Sequence, residues 1–371
     1  MKIPADLLAR PAEEAVRRLA FAQLERAAEA RQQLVEGDRE EALHDFRVAL
    51  RRLRSLLRSH RSSFSVEFPK KALRRIAALA RDTNPGRDAE VQLAWLASFA
   101  EELKPAERAG HRELVRELAQ RRDESYRKVE REIVRDFTGI AEKLGARLAS
   151  YHVAVDLERP ARPASFAAAT REALTPGAAE FLDKLGAIET AGDEAAGHAA
   201  RIAAKRLRYL LEPVTPWLPV ARRPVELLKD LQDLLGELHD GQLLAGHVGQ
   251  SLAEIESKRA QQLIEDTLEG PLPPAQAPPP SRRRERAGLI AVAKMLGARR
   301  SQLFSRLAED WLGESAPRRE ELVGELAEVA GALASAPRRR PVDTRPAKRA
   351  PASRRRRGEV RNGRAGAALS P

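Results

Sequence analysis

A segment that recurs after 154 residues constrains this chain more than any other feature of its sequence. Residues 44–57 (HDFRVALRRLRSLL) align without a gap with 198–211 (HAARIAAKRLRYLL), and ten of the fourteen positions are identical or exchange Lys for Arg or Val for Ile. Downstream of each copy, at looser spacing, a basic residue is followed by an aspartate, Arg87-Asp88 in the first and His239-Asp240 in the second. Self-similarity at this period predicts two homologous halves, each about 150 residues long.

Helical periodicity runs through most of both halves, interrupted by Pro and Gly clusters. Only 4% of the residues are aromatic, and Ala, Leu, Glu and Arg dominate, which favours helices and argues against an all-β fold. We therefore predict an all-α fold of two pseudo-symmetric helical bundles, with about five helices each, that arose by internal duplication. The predicted breaks are Phe68-Pro69, Asn84-Pro85-Gly86, Lys104-Pro105, 159–163, Thr175-Pro176-Gly177 and 213–219.

The chain divides into a body and a tail, and the positive charge is distributed unevenly between them. We place the first bundle at 1–160 and the second at 161–336, with a Pro-rich linker at 270–281. Residues 337–371 are Pro, Ala and Arg with few large apolar side chains, and we predict a disordered tail. This tail holds 12 Lys and Arg against 2 Asp and Glu, so most of the formal net charge of +12 belongs to it and the body carries about +2.

Several classes of site are excluded by composition. There is no cysteine, hence no disulfide, thiolate metal site or cysteine nucleophile. No metal-binding motif occurs, and we expect neither a metal nor a cofactor. No stretch approaches the roughly 18 apolar residues of a membrane span, and the first residues do not resemble a signal peptide. We expect a cytoplasmic protein without membrane contact.

The repeated segment carries basic side chains along one face of a helix. When each copy is projected at about 100° per residue, one side is apolar and the other forms a basic stripe. Arg52 falls outside this division, and Glu212 ends the second stripe. The first stripe consists of His44, Arg47, Arg51, Arg54, Arg58 and Arg61, and the second of His198, Arg201, Lys205 and Arg208.

A basic stripe of this kind is unfavourable without an anion. Like charges three or four residues apart repel, and the first stripe contains no acid that would offset them. Arginine forks suit phosphate oxygens, while the aromatic platforms typical of single-strand nucleic-acid grooves are missing from the first stripe. A solvated basic face is the simpler alternative, but its repetition in register favours a polyanion without bases. His44 and His198 can donate to phosphate or begin their helices.

These residues resemble the CHAD family, the conserved histidine α-helical domain. The resemblance rests on His44-x-x-Arg-Val-Ala-Leu-Arg-Arg-Leu-Arg54, on His198-x-x-Arg-Ile-Ala-Ala-Lys-Arg-Leu-Arg-Tyr209 and on 231–240, and it spans about residues 12–312. The resemblance implies two helical bundles around a basic groove that binds inorganic polyphosphate. It also implies that the protein associates with polyphosphate granules. The side chains it implicates are His44, Arg47, Arg51, Arg54, His198, Arg201, Lys205 and Arg208, together with Arg58, Arg52 and Arg206.

Three functions follow as hypotheses. The leading one is non-enzymatic binding of polyphosphate between the two stripes, with targeting to granules. The second is nucleic-acid or nucleoid binding through the basic tail around 354–357. The third, a phosphoanhydride hydrolase, needs carboxylates that hold Mg²⁺. Asp82, Asp88, Asp233 and Asp240 are the candidates for the third, although helix capping and ion pairing explain them more simply, and His239 is interpreted as structural.

Overall fold

The protein is all-α in the parts that the structure describes. The structure is a computed structural model, and it describes residues 3–37, 40–64, 70–149, 164–268 and 280–336. Within these ranges there is no β-strand, which confirms the predicted fold class. The ten α-helices found there are α1 (Ala12–Glu36), α2 (Glu40–Ser59), α3 (Lys70–Asp82), α4 (Asn84–Phe99), α5 (Arg108–Ala149), α6 (Phe166–Gly186), α7 (Glu194–Leu211), α8 (Arg222–Leu268), α9 (Pro280–Trp311) and α10 (Pro317–Ser335).

Most helix ends follow local sequence signals. Gly37 ends α1 in the left-handed conformation, with φ of 104°, which favours glycine. The Ser165 side chain accepts a hydrogen bond of 3.2 Å from the Ala168 N–H and so caps the start of α6. Pro85 lies in the first turn of α4, where a missing N–H is harmless. The break predicted at Thr175-Pro176-Gly177 is wrong, because Pro176 lies inside α6.

The core joins residues from both parts of the chain. Helices α1–α5 pack mainly on one another, as do α6–α10, and the two groups meet where α2 packs on α7, α1 on α6, α4 on α8 and α5 on α9. The larger apolar cluster includes Phe46 and Phe137 from the first group and Phe166, Phe181 and Trp311 from the second. A smaller cluster fills the junction of α4, α5, α8 and α9. The internal duplication and the bundle boundaries stay predictions.

Two glycines bring α5 and α9 unusually close. A Cβ atom at Gly110 would collide with the Glu285 carbonyl oxygen, and one at Gly288 would collide with the Glu107 carbonyl oxygen. Both clashes are with backbone atoms, which cannot move aside as a side chain can. This close crossing fixes the two halves of the chain against each other next to the smaller apolar cluster.

The predicted breaks at Phe68-Pro69 and 159–163 lie outside the described residues. The tail at 337–371 and residues 270–279 of the predicted linker lie outside the described residues. Pro280 and Ser281, which were also assigned to the linker, begin α9 instead. None of the described helices is both long enough and apolar enough to cross a membrane.

Candidate functional site

The two basic stripes lie on helices that pack against each other. In α2, Phe46, Leu50 and Leu53 are completely buried, which turns the arginines of the same helix away from the core. In α7 the small side chains of Ala200 and Ala204 are buried in the same way. Because α2 packs on α7, burial of these apolar faces leaves the two basic faces next to each other, and we use the word groove for the surface between them.

The two stripes meet around Tyr209. The Arg51 guanidinium of α2 lies 5.6 Å from the centre of the Tyr209 ring, and the Arg208 guanidinium of α7 lies 4.9 Å from it. Distances of this size are typical of cation–π contacts. The Arg52 Nε donates a hydrogen bond of 3.1 Å to Glu212, which provides a second link between the helices. The predicted stripes therefore approach each other.

Lys205 lies among four arginines at the middle of this groove. Its pKa is lowered to about 7, first by burial and then by Arg201, Arg51, Arg208 and Arg47. The pKa of Arg47 is also lowered, by burial first and by Arg51 second. We call these five residues the inner cluster. Burial is the largest cause of both shifts, and repulsion by neighbouring cations of the inner cluster lowers the two pKa values further.

Unpaired donors accompany this charge. The Nε atoms of Arg51 and Arg201 are buried, and neither has a hydrogen-bond partner among the described residues. A Cβ atom at Gly236 would lie only 3.4 Å from the Arg201 guanidinium, so the glycine leaves space for that side chain. Buried donors of a charged group are normally paired. The described residues provide no acceptor for these two donors.

Beyond the inner cluster, the groove continues toward the end of α2. Arg54 and Arg58 are exposed there, and the pKa of Arg54 is lowered by burial and then by Arg58, Arg81 and Arg206. Arg81, from α3, was not recognised in the sequence because a helical projection treats one helix at a time. Beside this end a cavity of about 380 Å³ opens, and the residues that line it include Arg58 and Arg206 as well as Glu172 and Glu180.

Toward the starts of α2 and α7 the inner cluster meets two carboxylates and two histidines. The pKa of Asp88 is raised by burial, which outweighs the opposing effects of Arg47, His239 and Arg201. Burial also raises the pKa of Asp240. The rings of His198 and His239 lie 5.2 Å apart, and burial lowers the pKa of both. His239 therefore belongs to the surroundings of the groove, which the sequence interpretation missed.

A hydrogen-bonded group of α4 and α5 supports this acidic end. Tyr126 donates a hydrogen bond of 2.9 Å to Glu90, and Arg87 donates one of 2.7 Å to the same oxygen. Burial and the bond to Glu90 raise the pKa of Tyr126 to about 12, so the phenol stays a donor. The Tyr126 ring lies so close to Gly86 that any Cβ there would collide with it. This explains the glycine of the Asn84-Pro85-Gly86 cluster.

The predicted site residues fall into three groups. The first group forms the inner cluster, with His198 next to it. The second is more peripheral: His44 is exposed in the second turn of α2, and Arg54 and Arg58 lie at the end of the groove. The third is held in ion pairs between helices, Arg52 with Glu212 at 3.1 Å and Arg206 with Glu180 at 2.7 Å. Among the described residues, no group of three or more His, Asp or Glu side chains could hold a metal ion.

Comparison with known proteins identifies the family. The family model described as the CHAD domain matches residues 18–249. The fold is similar to the crystal structure of the CHAD domain from the plant Ricinus communis, with a TM-score of 0.55 and 23% identity over 82% of this chain and 97% of that one. It is also similar to PptA from Streptomyces chartreusis, with a TM-score of 0.56 and 17% identity over 86% and 99% of the two chains. No curated protein is significantly similar in sequence. The chain belongs to the CHAD domain family.

Proposed function

We propose that this protein binds inorganic polyphosphate in the groove between α2 and α7. The observation that carries the proposal is the inner cluster, in which four arginines and a lysine from two helices share one partly buried space. A polyanion with evenly spaced charges restores the compensation that the fold lacks, and its oxygens accept from the unpaired Nε atoms of Arg51 and Arg201. Binding is not catalytic in this proposal, and it targets the protein to polyphosphate granules in the cytoplasm.

The single aromatic side chain between the stripes argues against a nucleic-acid strand as the ligand. Tyr209 is almost completely buried, and the guanidinium groups of Arg51 and Arg208 already lie against its ring. A base therefore has no free ring to stack on, whereas stacking supplies much of the affinity in single-strand grooves. A chain of phosphates without bases requires no such platform.

Removing the inner cluster tests the proposal. The quadruple variant Arg47→Ala, Arg51→Ala, Lys205→Ala, Arg208→Ala should bind long-chain polyphosphate at least about 100-fold more weakly than the wild type in a calorimetric titration. The fold should tolerate these changes, because they relieve repulsion between like charges. Arg223→Ala, which removes a cation paired with Glu321 at the start of α8, is the control and should bind like the wild type. Unchanged affinity in a folded quadruple variant would refute the proposal.

Competition with DNA separates this function from the action of the tail. Polyphosphate and duplex DNA should be titrated against each other on the full chain and on residues 1–336. Polyphosphate binding that persists without the tail supports the groove, whereas binding that disappears with the tail assigns it to 337–371. In both cases the affinity should fall as salt rises, because each neutralised phosphate releases counterions.

A further inference from the structure

Glu212 is an anion that the protein already holds at one end of the groove. It follows the last residue of α7, and its side chain is 20% exposed. One carboxylate oxygen accepts a hydrogen bond of 3.1 Å from the Arg52 Nε of α2. The other oxygen lies 3.3 Å from the Arg208 Nε of α7. A single carboxylate thus bridges one arginine from each of the two helices.

The other end of the groove has a cation at the equivalent position. In the 154-residue register, Glu212 corresponds to Arg58, and its partners Arg208 and Arg52 correspond to Arg54 and Arg206. Arg54 is under the electrostatic influence of Arg58 and Arg206, so these three cations lie together as their counterparts do. One end of the groove is therefore two cations bridged by a carboxylate, and the other is three cations.

The carboxylate opposes any polyanion that covers its end. Bidentate or shared contacts of Arg with a carboxylate use the same donors that phosphate oxygens need. A phosphate that takes Arg52 and Arg208 must displace Glu212, which stays attached to α7 and repels the incoming charge. At the Arg58 end Glu180 of α6 pairs with Arg206 at 2.7 Å, whereas Arg54 and Arg58 have no ion-pair partner among the described residues, so a phosphate meets a competitor at only one of the three cations.

We propose that Glu212 is a built-in competitor that weakens polyanion binding at one end of the groove and makes the end with Arg54 and Arg58 the place where a chain engages first. This inference rests on the proposed function, because it concerns the same groove and the same class of ligand. Glu212 thereby sets the affinity and the direction of entry without itself contacting the bound chain.

Removing the charge of Glu212 without changing its shape tests this inference by a gain of affinity. Glu212→Gln keeps an oxygen that can accept from Arg52, so the helices should remain linked. The full-length variant should bind long-chain polyphosphate about fivefold more tightly than the wild type, with a steeper salt dependence, because a neutral amide holds Arg52 and Arg208 less strongly than a carboxylate and does not repel phosphate.

Glu321→Gln is the matched control. Glu321 accepts from the Arg223 Nε at 2.7 Å between α8 and α10, so this variant loses one carboxylate from an interhelical arginine pair and has the same change in net charge. It should bind like the wild type. A gain of equal size in both variants would show a general charge effect and overturn the inference, as would unchanged or weaker binding in folded Glu212→Gln.

The converse variant keeps the inference testable if Glu212→Gln fails to fold. Arg58→Glu gives the α2 end the carboxylate that the α7 end has, and it should weaken binding about fivefold or more. Unchanged binding in Arg58→Glu would overturn the inference. The proposed function fails separately, when the wild type does not bind or when the quadruple variant of the inner cluster binds as the wild type does.

Discussion

Three of the differences between α2 and α7 at positions that the 154-residue register makes equivalent concern the groove and the core beside it. The inner cluster has Arg51 in α2 and Lys205 in α7, and the groove ends with Arg58 in one helix and Glu212 in the other. Just beyond the helices, His60 follows α2 where Val214 follows α7, and both are buried. The remaining basic positions of the inner cluster are shared. Both helices therefore place a cation in the middle of the groove, whereas the residues at the ends of the groove and in the flanking core differ in charge or polarity.

The largest expected effect is on stability, and it concerns His60, the buried residue that follows α2 where Val214 follows α7. The His60 ring is 1% exposed, lies 5.2 Å from the Phe166 ring and has no hydrogen-bond partner for either nitrogen among the described residues. Burial lowers its pKa to about 4, from an ordinary value of 6.5. The unfolded chain therefore binds a proton more readily between these values, and the free energy of unfolding should fall by about 3 kcal/mol as the pH drops from 6.5 to 4.

His60→Val should remove this part of the acid sensitivity. Urea unfolding at pH 7.5, 6 and 4.5 measures it, and the wild type should lose more stability than the variant over that range. His44→Ala is the control, since it removes an exposed histidine and should leave the acid sensitivity as it is. Parallel acid profiles in the wild type and His60→Val would contradict the expectation.

A somewhat smaller effect is expected on polyphosphate affinity when two arginines are removed from α2, and its size should depend on whether they are partly buried or exposed. Arg47→Ala with Arg51→Ala should weaken polyphosphate binding about 100-fold, because these side chains are partly buried and act in a medium of low dielectric constant. Arg54→Ala with Arg58→Ala removes the same number of charges from an exposed part of the same stripe, where water and salt screen them. That pair should cost about tenfold. Equal losses in the two double variants would mean that total charge decides affinity.

The sequence predicted the fold class and the faces of α2 and α7 because both depend on local periodicity. It did not predict that α6 continues through Pro176, because the outcome depends on tertiary packing: the backbone at Gly177 lies against Leu207 of α7. A helix embedded in such contacts tolerates a proline that would end an isolated one.

The charged surroundings of the groove were harder to predict than the stripes. Arg81 comes from α3, Asp88 from α4 and Asp240 from α8, and none lies in the repeated segment. Their approach depends on how separate helices pack, which a projection of one helix does not contain. The same limit hid the pairing of Arg52 with Glu212 and of Arg206 with Glu180, since each partner belongs to another helix.

The smallest of these effects concerns the pH dependence that Lys205 gives to the groove. With a pKa of about 7 among Arg47, Arg51, Arg201 and Arg208, the Lys205 amine of the free protein is largely neutral at pH 8.5. A bound polyanion favours the charged amine and raises that pKa, so binding takes up a proton above pH 7. The affinity for long-chain polyphosphate should therefore fall about tenfold between pH 7 and 8.5.

Lys205→Arg makes the two helices alike at this position and should flatten the profile, because a guanidinium stays charged throughout this range. His198 and His239 remain neutral between pH 7 and 8.5, because their pKa values are lowered, and so they do not contribute to the profile. Lys229→Arg, on an exposed part of α8, is the matched control and should keep the wild-type slope. Proton uptake measured by calorimetry in buffers of different ionisation enthalpy checks the cause directly, and equal uptake by the wild type and Lys205→Arg would assign the pH dependence to another group.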